Sequence, residues 1–307
     1  MQIQPRPHSV QHIPNKSGNF IGSVSVSAIL NQVKASSSVK QRPQTKLKSH
    51  RRFFRRIKSS ILKYESLYRF YLKWKFGVPQ IEVGRDSTLP NTTLKNKAEW
   101  LDAAARGRRL GLPLHRGIEK NWDHLAAAEA IVRNTSTTAK ILDAGAELYS
   151  NVLPALFMHG YRNLYGMNLS FADPARRGPI QYLPGDITDS RFPDNFFDAV
   201  TCMSVIEHGV PLTEYFREMH RILKPDGLLI TSTDYYPTAI DTAGKFAHGT
   251  PVKIFTKPEM ESMLERAVEI GFALTGDLDY RCTECPVRWE QLGLEYSFII
   301  FTLRKRP

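Results

Sequence analysis

The chain of 307 residues has only three cysteines, Cys202, Cys282 and Cys285. That is too few for a disulfide framework and fits a reducing, cytoplasmic setting. Cys282-x-x-Cys285 is half of a zinc ribbon with no second pair, and a structural zinc wants four ligands, so no metal site is expected. No apolar run approaches the roughly 18 residues that a membrane-crossing helix requires, and no h-region of signal-peptide type is present. Acidic residues are missing from the first 64 positions, which hold 13 of the 42 Lys and Arg. In the remainder 29 basic residues meet 30 acidic ones, so the formal charge of +12 belongs to the N-terminal fifth. This distribution argues against a basic nucleic-acid groove in the folded part and confines any anionic partner to the N-terminal arm.

Composition divides the chain into three parts. Residues 1–50, rich in Ser, Gln, Pro and Lys, lack apolar periodicity and read as a disordered basic arm. Their acid-free, Ser- and Arg-containing start also resembles an organelle transit peptide. Residues 51–118 form an N-terminal extension. Within it, residues 51–76 read as a basic, aromatic amphipathic helix, with Phe53, Ile57, Ile61, Tyr64 and Tyr68 at spacings of three or four. Two readings of that helix stand open: it lies peripherally on an anionic membrane surface, or its apolar face docks on the following domain. Residues 78–91 look extended and 94–110 helical, with no role assigned.

Residues 119–307 carry the expected globular domain. A helix over Asn121–Arg133 precedes a short apolar strand, Ile141-Leu142, that runs into Asp143 and Gly145. Strand, glycine turn and the helical run Tyr149–Gly160 together make the arrangement that seats a nucleotide-type ligand at the carboxyl end of a parallel sheet. Further strands are expected at Leu164–Asn168, Ile180–Leu183, Phe197–Met203, Leu228–Thr231, Phe272–Leu278 and Tyr296–Leu303. The helix between the fourth and fifth shows its period plainly, with Leu212, Tyr215, Phe216, Met219, Ile222 and Leu223 on one face. Lys224–Gly227 reads as a turn, and Thr256-Lys-Pro-Glu259 as a capping box. Alternating strands and helices predict an α/β fold, a doubly wound, mostly parallel sheet.

Four stretches in this order resemble the class I S-adenosylmethionine-dependent methyltransferases, and more closely their small-molecule, type 11 branch, over about residues 120–303. They are Ile141-Leu-Asp143-Ala-Gly145, Gly185-Asp186, Phe196-Phe-Asp198-Ala-Val-Thr-Cys-Met-Ser-Val-Ile-Glu-His208, and Glu218-Met-His-Arg221-Ile-Leu-Lys-Pro-Asp-Gly227-Leu-Leu-Ile230. The resemblance implies a seven-stranded Rossmann-like sheet with an antiparallel final strand, and S-adenosyl-L-methionine as cofactor. It places Asp143 at the cofactor's ammonium, Gly145 beneath the ribose and methionyl part, Asp186 and Ile187 at the adenine, and Ser204 where cofactor meets acceptor. Two departures stand out. Glu147 and Tyr149 replace further glycines, and Asn168 replaces the ribose-binding acid, a role Glu147 can take from a neighbouring position.

Methyl transfer chiefly needs donor and acceptor aligned, and a base when the acceptor is a hydroxyl. His208, whose imidazole type titrates close to neutral pH, and Asp234 are the rival bases. Tyr235, Asp241 and His248 are candidate substrate residues. No Asn-Pro-Pro-Tyr or Asp-Pro-Pro-Tyr follows the fourth strand, which disfavours methylation of nucleic-acid or glutamine nitrogens. A hydroxyl of a small molecule, sugar or lipid-linked glycan fits better. A nicotinamide oxidoreductase would want a full Gly-x-Gly-x-x-Gly turn, which is missing. A catalytically silent binding or scaffold protein on the same fold is the second reading, resting on the lost glycines and Asn168.

Overall fold

The computed structural model describes residues 60–80, 89–247 and 249–307. In chain order the elements begin with helix α1 (Glu65–Phe76), strand β1 (Thr92–Thr93), and helices α2 (Lys97–Arg109) and α3 (Asn121–Asn134). Then come β2 (Lys140–Ala144), α4 (Val152–Met158), β3 (Asn163–Asn168), β4 (Ala175–Arg177), β5 (Ile180–Pro184), β6 (Phe197–Met203) and α5 (Leu212–Ile222). The rest are β7 (Leu223–Tyr235), a small hairpin of β8 (Phe246–Ala247) and β9 (Thr250–Pro251), α6 (Lys257–Ile270), β10 (Phe272–Leu274), β11 (Val287–Trp289) and β12 (Leu294–Lys305).

Strand periodicity explains why helices cover both faces of the sheet. Ile141, Ala199, Ile230 and Ile300 point to one side, into a core shared with α3 and α4 residues such as Ile131, Leu153 and Phe157. Their neighbours Leu142, Val200, Leu229 and Ile299 point to the other, onto Tyr215, Phe216 and Met219 of α5 and Met260 and Met263 of α6. Side chains alternate because the strand repeat is two residues, and a sheet buried on both faces reads as continuous apolar runs.

The parallel strands order as β7-β6-β2-β3-β5. Beyond β7 lies β12, antiparallel, and β10 pairs with its far edge. These seven strands match the expected sheet with its antiparallel final strand. Three short strands extend it: β4 pairs β5, while β1 and β11 pair β12. The outer edge of β12 is thus covered piecewise, by β11 at 294–296, β1 at 299–300 and β10 at 303–305. Covering an edge removes a template for pairing with other chains.

Local chemistry decides several joints. Asp198 pins three strands at their N-terminal ends: Oδ2 accepts from Lys140 N at 2.8 Å, and Oδ1 from Lys224 Nζ at 2.7 Å. The expected turn at Lys224–Gly227 lies inside β7 as a bulge, where the pairing steps from Phe197↔Leu223 to Ala199↔Leu228. Asp226 adopts φ 62°, which keeps the turn's left-handed residue without breaking the strand. Thr256 and Glu259 form the capping box of α6, with the Thr256 hydroxyl and backbone N–H both 2.9 Å from Glu259 Oε2.

In the N-terminal helix, Phe53 and Ile57 of the expected stripe lie outside the described residues. Ile61 and Tyr64 are exposed rather than packed, because a turn at Lys63–Tyr64 interrupts the helical register before α1 starts at Glu65. Of the expected stripe Tyr68 is packed, and with Leu62 and Leu72 it joins the core cluster around α4. The Tyr68 ring stacks on Phe157 with centroids 5.6 Å apart and planes 7° apart. Docking on the domain therefore holds for this inner face of α1. Among the described residues no helix is long and apolar enough to cross a membrane.

Candidate functional site

The carboxyl ends of β2, β3, β5, β6 and β7 share one rim of the sheet, where βα loops gather chemistry-bearing side chains. At the end of β2, Asp143 is buried and its Oδ1 accepts from Thr201 Oγ1 of β6 at 2.8 Å. Burial pushes its carboxyl up to about 7 against that hydrogen bond, and the Asp123 carboxylate adds to the rise. Gly145 follows with φ 88°, its N–H donating to Met167 O at 2.7 Å, and a Cβ there would run into both Cγ atoms of Val205. Gly145→Ala should therefore destabilise the fold by about 1–3 kcal/mol in denaturant melts. Adding Val205→Ala should return the steric part and leave the part due to φ.

Next in the loop, the Glu147 backbone N–H donates to Ser150 Oγ at 3.0 Å, which delays the start of α4 to Val152, three residues later than Tyr149. The Glu147 side chain reaches the end of β3, where Oε1 accepts from Ser170 Oγ at 2.9 Å. Asn168 turns inward: Nδ2 donates to Gly145 O at 2.9 Å and Oδ1 accepts from Ser170 N at 2.8 Å. It ties the β2 and β3 loops together, and Glu147 is the carboxylate left facing that end of the rim. Asp186, after β5, closes a local turn by accepting from Thr188 N and Oγ1 at 2.8 and 2.7 Å, while Ile187 is buried beside it.

The densest chemistry sits over β6 and β7. Ser204 has φ 52° and accepts from Lys120 Nζ at 2.6 Å. The same ammonium lies 3.7 Å from Asp234 Oδ1 and 3.8 Å from the centroid of the Phe298 ring. Asp234 is buried, and its Oδ1 has no hydrogen-bond partner among the described residues. Glu207, also buried, accepts from Thr233 Oγ1 at 3.0 Å. Asp123 of α3 accepts from Ser232 Oγ at 2.6 Å and caps its own neighbour through His124 N at 2.9 Å.

Burial pushes both Glu207 and Asp234 up, each raised further by a neighbouring carboxylate, and Lys120 draws both back. For Asp234 the Lys120 ammonium, 3.7 Å away, and the Tyr296 hydroxyl oppose the rise, whereas the charge of Asp234 adds to that of Glu207, so Glu207 is the more readily protonated of the two. Burial pushes His124 down to about 4 and lowers His115 as well, so neither adds positive charge here at neutral pH.

Of the other sequence candidates, His208 is half-buried in the turn after β6, its N–H donating to Val205 O at 3.0 Å. Tyr235 points to the opposite side of β7 from Asp234, into the core, where its hydroxyl donates to Tyr280 O at 3.1 Å. Asp241 is exposed and closes a turn with Ala243 N at 2.9 Å. Neither joins the rim cluster, and His248 lies outside the described residues. Sequence reasoning missed Lys120, Asp123 and Tyr296. The signal was Asp123 itself, an acid in register with Ala127, Ala130 and Ile131 on the buried face of α3.

Residues 142–231 match the family model for the methyltransferase domain, type 11. The chain is similar to the mitochondrial ubiquinone biosynthesis O-methyltransferase of Schizosaccharomyces pombe, 36% identical over 61 residues, which are 20% of this chain and 22% of that protein. It is also similar to sterol 24-C-methyltransferase erg-4 of Neurospora crassa, 38% identical over 50 residues, or 16% of this chain and 13% of that one. The matched stretches thus span less than a quarter of either relative. Among solved structures it is similar to an S-adenosylmethionine-dependent methyltransferase from Mesorhizobium loti, with 18% identity and TM-score 0.44, covering 61% of this chain and 98% of that one.

Proposed function

We propose that this chain, which carries a type 11 methyltransferase domain across residues 142–231, transfers a methyl group from S-adenosylmethionine to a hydroxyl of a small molecule, a sugar or a lipid-linked glycan. The observation that carries this reading is the buried Asp234 Oδ1, without a hydrogen-bond partner among the described residues and held beside Lys120 on the same rim as the buried carboxyl of Asp143. The names of the two relatives, for ubiquinone biosynthesis and for a sterol, support a small-molecule acceptor.

The rim residues suit the cofactor. A carboxyl pushed up by burial gains most from a cationic partner, and an ammonium at Asp143 would relieve that strain. Glu147 would take ribose hydroxyls in place of Asn168, whose amide is engaged within the protein. Asp186 and Ile187 would border the adenine, and Ser204 the junction with the acceptor. When bound, S-adenosylmethionine supplies a methyl group already activated by its sulfonium.

The chain's own work is positioning and proton removal. Asp234 would take and hold the proton that the acceptor hydroxyl gives up. A carboxylate raised by burial is a stronger base than a solvated one, and Lys120 keeps it ionised at neutral pH. Glu207, pushed up by burial, is protonated more readily than Asp234 and so adds less negative charge beside it. His208, half-buried in the turn after β6, is the rival base.

The alternative is a silent scaffold on the same fold, favoured by Asn168 being committed to the loops and by Val205 packing against Gly145. Calorimetric titration of the full chain with S-adenosylhomocysteine separates the two. Micromolar binding that Asp143→Ala abolishes supports the enzyme. Absence of heat at millimolar ligand, from protein that melts cooperatively, would overturn it in favour of the scaffold.

A further inference from the structure

We infer that the outward face of α1 docks the protein on an anionic membrane surface. Burying Tyr68 and Leu72 leaves a second apolar row on the same helix, Leu67, Phe70 and Trp74, exposed by 45%, 69% and 75%. Their spacings of three and four residues put them on one side of α1. Tyr64 before the helix and Val78 after it extend the row, exposed by 57% and 66%. Of eleven exposed large apolar side chains among the described residues, six fall between Ile61 and Val78, so the exposure is a patch and not scatter.

Charge selects the occupant. Lys63, Lys73 and Lys75 are exposed around this row. The acid of α1, Glu65, is already neutralised, with its Oε1 2.7 Å from Arg162 and 3.6 Å from Arg69. The sequence leading into the helix carries 13 Lys and Arg and no acid through residue 64. A second copy of the chain would bring like charge against like across a two-fold contact. A lipid surface with anionic headgroups answers both features: rings settle at headgroup depth while lysine stems lie along the apolar row and their ammoniums reach phosphate. The inner face of α1, stacked on Phe157 beside β2 and β3, fixes the catalytic rim relative to that surface. This inference does not rest on the methyl-transfer reading.

Co-sedimentation of the full chain with vesicles of phosphatidylcholine, with and without phosphatidylglycerol, tests it. Partition onto the anionic vesicles alone, falling as salt is raised, is expected. The double variant Phe70→Ser, Trp74→Ser should lower that partition by about tenfold or more, with the melting temperature held because both side chains are exposed. Lys63→Gln with Lys73→Gln and Lys75→Gln should lower it too. Partition unchanged in the Phe70, Trp74 variant would assign any binding to the basic arm and overturn the role of α1. No binding to either vesicle, or a dimer in solution that the same variant dissociates, would overturn it equally.

Discussion

Asparagine in place of Asp143 is expected to stabilise the unliganded protein at pH 8 and to abolish its binding of S-adenosylhomocysteine. The carboxyl is fully buried and its pKa rises from 3.8 to about 7. A raised folded-state value means that the folded chain holds a proton the unfolded chain has released. The stability tied to that proton is complete below about pH 4 and is lost as the pH rises through about 7. A rise of that size corresponds to about 4 kcal/mol. The new amide N–H donors take back about 1–3 kcal/mol of that for want of partners. A net gain of about 2 kcal/mol at pH 8 is expected, shrinking or reversing at pH 4. Thermal melts across that window check it. A variant that melts lower than wild type by the same amount at every pH would show that burial does not strain this carboxyl.

Lys120→Met should act in the opposite sense, costing about 3–5 kcal/mol at pH 8, because it strips the Lys120 ammonium from the buried carboxyls of Asp234 and Glu207. The Lys120 side chain is 21% exposed and that of Asp234 5%, so solvent screens the pair little. Without the ammonium, Glu207 and Asp234 rise further, and the penalty exists only while they are ionised. The loss should therefore shrink as the pH falls and both carboxyls take protons. Combining Lys120→Met with Asp234→Asn should recover most of the stability, which a double-mutant cycle in denaturant measures. Equal losses at pH 5 and pH 8, with no recovery in the double variant, would mean that Lys120 acts only through packing on Phe298.

Legibility in the sequence followed range. Period-two and period-3.6 patterns are local, so β6 at Phe197–Met203 and α5 from Leu212 could be read to within a residue. The Thr256–Glu259 cap is local too, and its chemistry names its geometry. The rim cluster is not local. Lys120 and Ser204 lie 84 positions apart, and Asp123 and Ser232 lie 109 apart, so no window contains both partners. Tyr235 illustrates the converse. Adjacent to Asp234, it looked like a second site residue, but neighbouring strand positions face opposite sides, and its ring belongs to the core. Asn168 was legible as a departure from the ribose acid, while the two hydrogen bonds that engage it come from loops whose paths the sequence does not fix.

The patchwork over the edge of β12 bears on the order in which the protein can be built. Synthesis delivers the parallel strands β2, β3, β5, β6 and β7 well before the last strand, and β7 acquires its second partner only when residues 294–305 emerge. That last strand then fits between β7 and three fragments made at widely separated times, residues 92–93, 272–274 and 287–289. Until then β7 is an open edge rich in apolar side chains, the kind of surface that recruits chaperones or pairs with a neighbouring nascent chain. The region matched by the family model, residues 142–231, ends inside β7 and so stops at this open edge. A chain begun at residue 119 would lack β1 and leave β12 bare at Ile299–Ile300. Expressed alone, either piece would meet the ribosome's neighbours with an unpaired strand.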